Sequence, residues 1–291
     1  MNMKQLIFSI FVFVLVFVAT SCEKPLIDTA GDADGNVTLR FTTVTKDMTR
    51  GTAASHFDKL NIMMFDADGD RVFEKVKTQT KDDDEDFGTM RVTVNKGNYW
   101  IVAVGHSSHN SATIKSPEVV QFTAADGEKL TDTFCHCSQI TIDEDTEHFD
   151  LSMYRVGAMI QFCLNDDTFP VNFTHFKMDY TGGSANFNPQ TLQGITKSTQ
   201  SEKRTTNGIH IYQCFTFPYL SETGTITMTC TALDMDGNVI RKRKFENVPV
   251  QRNRITTYNG RFFMDGDGDF SMSDFGFVIH ADWDGETQID F

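Results

Sequence analysis

The sequence predicts an all-β chain, two consecutive β-sandwiches behind an export signal, and three observations lead there. Apolar residues recur at every second position over many short stretches. Asp-Gly and Asn-Lys-Gly clusters punctuate those stretches. No apolar stripe at three-and-four spacing runs through the chain beyond its leader. Period two sends one side of a strand into a core and the other to water, whereas a helix would need the longer period.

The elements follow in order. Lys4 supplies a charged head, Leu6 to Val18 an apolar run of 13 residues, and Ala19-Thr20-Ser21-Cys22 a small-residue box. The run is shorter than the ~20 residues that cross a bilayer, so residues 1–21 read as a cleaved signal. Cys22 then reads as the lipidation site, its thiol taking a diacylglycerol and its freed amine a further acyl chain. Each buried CH₂ contributes ~0.8 kcal/mol, and two or more chains anchor stably where one does not. Residues 22–35 are polar and turn-rich, a tether; at ~3.3 Å per residue its stretch after Cys22 reaches ~45 Å from the membrane.

The first sandwich is assigned to residues 36–154. Val37, Leu39 and Phe41 alternate with Thr38, Arg40 and Thr42. Strands follow at Leu60 to Met64, Val72 to Val76, Met90 to Val94, Tyr99 to Val104, Gln139 to Ile142 and Phe149 to Met153, about seven in all. Asp68-Gly69 and Asn95-Lys96-Gly97-Asn98 read as hairpin turns. The second sandwich, residues 155–291, opens with Val156, Ala158, Ile160, Phe162 and Leu164 on one face. His175 to Tyr180, Ile209 to Phe217, Thr225 to Leu233, Val239 to Phe245, Ile255 to Phe263 and Phe275 to Trp283 complete it, with Asp236-Gly237 as a further hairpin. Thr181 to Ser184 and Lys197 to Asn207 read as loops, the longer one exposed.

Charge excludes one class of partner. With 26 basic and 40 acidic residues the net charge is −14, and nucleic acid is not an expected partner. The tetrad Arg241-Lys242-Arg243-Lys244 alternates across a strand and reads as protection of a sheet edge. Of 6 cysteines, Cys22 is assigned to lipid. Cys135, Cys137, Cys163, Cys214 and Cys230 remain, an odd number in an oxidising compartment, and their disulfide state stays open. Cys135-His136-Cys137 with His148 has zinc-binding residue types but a one-residue spacing, so no metal and no cofactor are expected. The segments Asp32 to Asn36, Asp66 to Asp70, Asp234 to Asn238 and Asp265 to Asp269 resemble the start of calcium loops. The second has Arg71 and Lys77 where such a loop needs Gly and Glu, and turns are the simpler account. Serine-hydrolase, metalloprotease and phosphate-loop motifs are missing, and His106-Ser107-Ser108-His109 reads as a polar loop, so no catalytic residue is assigned.

Several stretches together carry a family resemblance: the box ending at Cys22, Leu60-Asn61-Ile62-Met63-Met64-Phe65-Asp66, Gly97 to Val104, Val248-Pro249-Val250-Gln251-Arg252-Asn253-Arg254-Ile255-Thr256, and Gly260-Arg261-Phe262-Phe263. Their order resembles the fimbrillin-associated anchor subunits of Bacteroidales (type V) fimbriae. That resemblance implies two transthyretin-like, Greek-key sandwiches and a lipid anchor in the outer membrane, facing the surface. It also implies fimbrial stalk subunits as partners and a role in attaching a fibre and limiting its length. In stalk and tip members, cleavage after an arginine removes the first strand and a neighbour's strand fills the groove. Here that cut would follow Arg50, and Val37, Leu39 and Phe41 would occupy the groove. An anchor should keep the segment, because the cut separates body from lipid. A surface glycan-binding lipoprotein is the reading from another class; only Trp100 and Trp283 are available as indole platforms.

Overall fold

The computed structural model describes residues 37–45, 56–110, 112–123, 129–206, 208–219, 223–263 and 276–280. Cys22, Arg50, the tether, Asp265 to Asp269 and Trp283 lie outside the described residues. Among the described residues there are 19 strands and no helix, so the chain is all-β.

Nine strands precede Val156: β1 (Val37–Thr45), β2 (Lys59–Phe65), β3 (Lys77–Thr80), β4 (Thr89–Val94), β5 (Gly97–His106), β6 (Thr113–Ser116), β7 (Val119–Gln121), β8 (Phe134–Ile142) and β9 (His148–Arg155). Ten follow: β10 (Ala158–Leu164), β11 (His175–Gly183), β12 (Asn186–Asn188), β13 (Gln193–Gly194), β14 (Ser198–Thr205), β15 (Ile211–Thr216), β16 (Thr223–Leu233), β17 (Val239–Gln251), β18 (Ile255–Gly260) and β19 (Gly276–His280).

The first half forms one seven-stranded sheet in the order β3-β2-β5-β8-β9-β1-β4. β8 and β9 pair only at Phe134↔Arg155 and Cys135↔Tyr154. Alternation explains what it buries: Leu39, Phe41, Val92, Val94, Leu151 and Met153 all lie within 2% exposure of full burial. β2 and β5 instead bury continuous runs, Leu60 to Phe65 and Ile101 to His106, so one face meets the main core and the other the segments laid across it.

The second half sets the sheet β15-β10-β18-β19 against β14-β11-β16-β17. Phe162 of the first reaches across to Phe176 (6.0 Å) and Phe245 (5.1 Å) of the second, centroid to centroid. The buried side chains separate into two clusters, one reaching Val156 and the other starting at Ala158. The first also takes in Ala185, Phe187 and Phe217 from the later sequence.

Four expectations need correction. Val72 to Val76 is a bend, not a strand. After the Phe65↔Arg71 bridge the chain turns inward to bury Phe73, and pairing with β2 resumes at β3. Asn95 to Asn98 does not close a hairpin: β4 pairs with β1, and β5 with β2 and β8. Turn residues announce a reversal, and they say nothing about which strand becomes the neighbour. Lys197 to Asn207 contains β14, an edge strand paired with β11. Its period-two pattern is polar, with Gln200 and Glu202 turned inward and Glu202 held by Arg204 at 2.8 Å. Thr181 to Gly183 continues β11 through an irregularity of register, where Gly183 packs so closely that a Cβ would lie 2.1 Å from Thr216 Oγ1.

β17 is an edge strand, as its basic tetrad suggested. Its Arg243 is an exception within the tetrad, buried and donating from Nε to Phe262 O at 2.6 Å. The Asp-x-Asp-Gly segments at 66 and 234 are turns. Asp66 Oδ1 accepts the N–H groups of Asp68 and Asp70, and Asp234 Oδ1 accepts that of Asn238. Gly69 (φ 85°) and Gly237 (φ 83°) supply the left-handed position that each turn requires.

Candidate functional site

β1 is the first described segment of the chain, and it lies inside its sheet. Val37 to Thr42 pair antiparallel with β4, and Arg40 to Thr45 run parallel to β9. Val37, Leu39 and Phe41 point into the core at 8%, 0% and 0% exposure. Phe41 stacks on Phe149 at 6.1 Å. The outward residues remain polar, with Thr38 and Thr93 hydroxyls 3.1 Å apart and Arg40 Nε donating to His148 Nδ1 at 3.4 Å. β1 is therefore an interior strand with one apolar face, the shape of a strand that fills a groove.

A second constellation, which sequence reading did not single out, lies where the halves meet. Arg155 ends β9 and is 1% exposed. Its Nε and Nη2 donate to Asp132 at 2.8 and 3.0 Å, and its Nη1 donates to Asn253 Oδ1 at 2.7 Å. Arg252 Nη1 donates to Arg155 O, and Asn253 N to Gly157 O, both at 2.9 Å. Asn253 adopts φ 58°, which asparagine tolerates better than most residues. Burial raises the Asp132 carboxyl above its usual range, and the Arg155 guanidinium opposes that shift. The Gln251-Arg252-Asn253-Arg254 stretch of the family resemblance is thus the turn that clasps the junction. A lone Arg closing an alternating strand was the available signal; its partner 98 positions later was not.

A small sheet in the order β13-β12-β7-β6 also joins the halves, through Phe187↔Val120 and Asn186↔Gln121. Phe122 packs on Phe217 at 5.7 Å and on His106 at 5.0 Å. His106 is the last residue of β5 and fully buried, whereas the sequence placed it in a loop. Its Nδ1 accepts the Ser108 N–H at 3.1 Å, so Nε2 carries the proton and donates to Asn61 Oδ1 at 2.8 Å. Burial and the nearby Lys59 ammonium lower its pKa to about 3. Lys59 caps the following turn, donating to Ser108 O and His109 O. This is a neutral histidine used as a fixed hydrogen-bond bridge.

The Cys135-His136-Cys137 run does not converge. His136 bonds Ser152 O and Ser138 Oγ, Cys137 lies against Pro117 O, and His148 sits on the outward side of β9 beside Asp150. Cys135, Cys137, Cys163, Cys214 and Cys230 are free thiols, each raised by burial, Cys137 to about 12. Thiols held protonated are poor nucleophiles. Among the described residues no group of three or more His, Cys, Asp or Glu side chains is arranged to hold a metal. Trp100 lies in β5, partly buried.

Several solved structures are similar to this one at low identity. A candidate polysaccharide-binding protein (DUF1812) from Bacteroides thetaiotaomicron superposes with TM-score 0.55 at 10% identity, covering 84% of this chain and 96% of that one. A candidate adhesin from the same species gives 0.51 at 10%, with the same coverages. The fimbrial anchor protein Mfa2 from Porphyromonas gingivalis gives 0.46 at 13%, covering 83% of this chain and 94% of that one. The first two likenesses establish a common fold and nothing more specific. The sequence matches no curated protein. Over residues 30–290 it matches the family of unknown function DUF6562, and the chain belongs to that family.

Proposed function

We propose that this chain is a non-enzymatic, lipid-anchored base subunit of a surface fibre. Acyl chains on Cys22 hold it in the outer membrane, residues 22–35 tether it, and two transthyretin-like sandwiches, residues 36–154 and 155–291, carry the contacts to stalk subunits. By occupying the first position in the fibre it limits the fibre's length.

The observation that carries this reading is the placement of β1. A load on the fibre is transmitted to the lipid through residues 22–36 into a strand bonded along both sides, with six register pairs to β4 and six to β9. Tension along such a strand must break many hydrogen bonds together, which suits a structural link. The order of family-like segments around the chain and the fold shared with a candidate adhesin point the same way. The glycan-binding reading gains little, because Trp100 is committed to β5 and partly buried.

Cys22→Ala tests the anchor. The variant should incorporate no labelled fatty acid and should be released or keep its signal peptide. Continued labelling together with fractionation in the outer membrane would falsify the lipid anchor.

A further inference from the structure

Large apolar side chains that face water are few, and they gather at one end of the second half. Among the described residues six are exposed, and five of them, Val171, Ile209, Ile211, Met235 and Val239, lie on or beside residues 165–174, 208–210 and 234–238. The topology brings these loops together. β10 and β18 end there, while β11, β15 and β17 begin there, and direct bonds tie the loops to one another. Thr174 N donates to Leu233 O and Thr206 N to Thr174 O, both at 2.9 Å, and Leu164 N to His210 O at 3.0 Å. Asp166 accepts the N–H groups of Phe262 and Phe263, each at 2.7 Å, which joins residues 261–263 to the same end.

The backbone projects these side chains outward. Gly208 (φ 79°) and His210 (φ 57°) both take left-handed conformations on either side of Ile209, leaving it 67% exposed. The His210 ring is pinned beneath by Phe169, with centroids 3.6 Å apart. Val171 at 105% and Met235 at 81% protrude beyond the strands. Protruding apolar side chains on loops bonded to one another can enter a groove, and exposed apolar clusters of this kind mark interaction sites.

Charge selects the occupant. The four loops carry Asp166, Asp167, Asp234 and Asp236 against one cation, Arg261, which is already paired with Asp167 at 3.1 Å. An anionic membrane surface would be repelled, and so would the same pole of a second copy. A basic-rimmed groove would be attracted. β1 starts at the end of the first half away from the Arg155 junction, and these loops lie at the end of the second half away from it. The start of β1 and the apolar pole therefore occupy outer strand ends of their own halves.

We infer that this pole is a docking surface for a protein subunit presenting an apolar groove rimmed by Lys or Arg. Resting on the base-subunit reading, it assigns the pole to the fibre's neighbouring subunit.

The test uses full-length lipidated protein in its native envelope, with a photoreactive residue placed at Ile209, at Met235, or at Thr38 as a control. The first two positions should each give one discrete protein adduct whose cross-linked peptide is apolar and flanked by basic residues, and Thr38 should not. Asp236→Lys should cut the adduct yield at least fivefold. Ile209→Ser with Met235→Ser should cut co-purifying fibre at least tenfold without moving the melting temperature. Adducts with lipid, with a second copy, or with nothing overturn the inference. If the double variant retains wild-type amounts of fibre, the docking surface is wrong and the base-subunit reading stands. If the wild-type protein brings down no fibre, both fall.

Discussion

The opening strands of the two halves hold the same place in their sheets. β1 lies between antiparallel β4 and parallel β9; β10 lies between antiparallel β15 and parallel β18. Each buries every second residue, Val37, Leu39 and Phe41 in one and Ala158, Ile160, Phe162 and Leu164 in the other. They differ in what precedes them. β10 continues from β9 through Val156 and Gly157 and is clasped by Asn253, so it cannot leave its sheet without undoing the junction. β1 opens the described part of the chain, and among the described residues its pairing with β4 and β9 and its buried row are what retain it. A base subunit needs β1 to be as permanent as β10, whereas a polymerising subunit needs β1 to be expendable.

Truncating the buried aromatic of each strand breaks the comparison most severely. Phe162→Ala and Phe41→Ala should each cost about 3–5 kcal/mol, since a cavity adds to the lost transfer energy. Phe162 should stand at the upper end, because its ring packs on Phe176, Phe245 and Tyr258, whereas among the described residues Phe41 has one aromatic contact, Phe149. Urea unfolding midpoints decide it, and a larger loss at Phe41 would reverse the ranking.

The junction comes next. Arg155→Ala leaves the half-buried Asp132 carboxylate without its guanidinium and should cost up to about 3 kcal/mol, the lower limit for breaking a fully buried pair. Arg155→Met with Asp132→Leu should recover most of that loss. If the double variant is no better than the single one, packing of the arginine stem, and not its charge, is what matters.

A smaller effect depends on pH. His106 protonates less readily in the fold, near pH 3, than at its ordinary 6.5. Stability is therefore complete above pH 6.5 and declines as the pH falls from there toward 3. Between pH 6.5 and pH 5 the loss should be about 2 kcal/mol, at ~1.36 kcal/mol per unit. His106→Gln, which can still donate to Asn61, should flatten most of this slope; His136, also lowered by burial, keeps a remainder. A slope unchanged in His106→Gln would assign the acid sensitivity elsewhere. The smallest effect is expected at Lys96, paired with Glu144 at 2.7 Å but 44% exposed. Lys96→Ala should change stability by less than about 0.5 kcal/mol.

What could be read from the sequence depended on whether neighbours along the chain carried the signal. Val37-Leu39-Phe41 and Ile160-Phe162-Leu164 announced strands because alternation is local, and Asp236-Gly237 announced its hairpin because a left-handed glycine is local. β14 stayed hidden because its inward residues, Gln200 and Glu202, are polar and gain their partners only in the fold. β6, β7, β12 and β13 stayed hidden because strands of two to four residues acquire meaning only when the halves pair them. Arg155 and Asn253 meet only once both halves are built, and Cys22 and Arg50 remain sequence assignments.

The retention of β1 is the central claim, and the mass of the mature protein isolated from cells tests it most directly. The base-subunit account expects one acylated chain running from Cys22 to Phe291, with β1 still covalently joined to its lipid. A free amino terminus at Gly51 in most molecules would contradict it and make the chain a polymerising stalk or tip subunit.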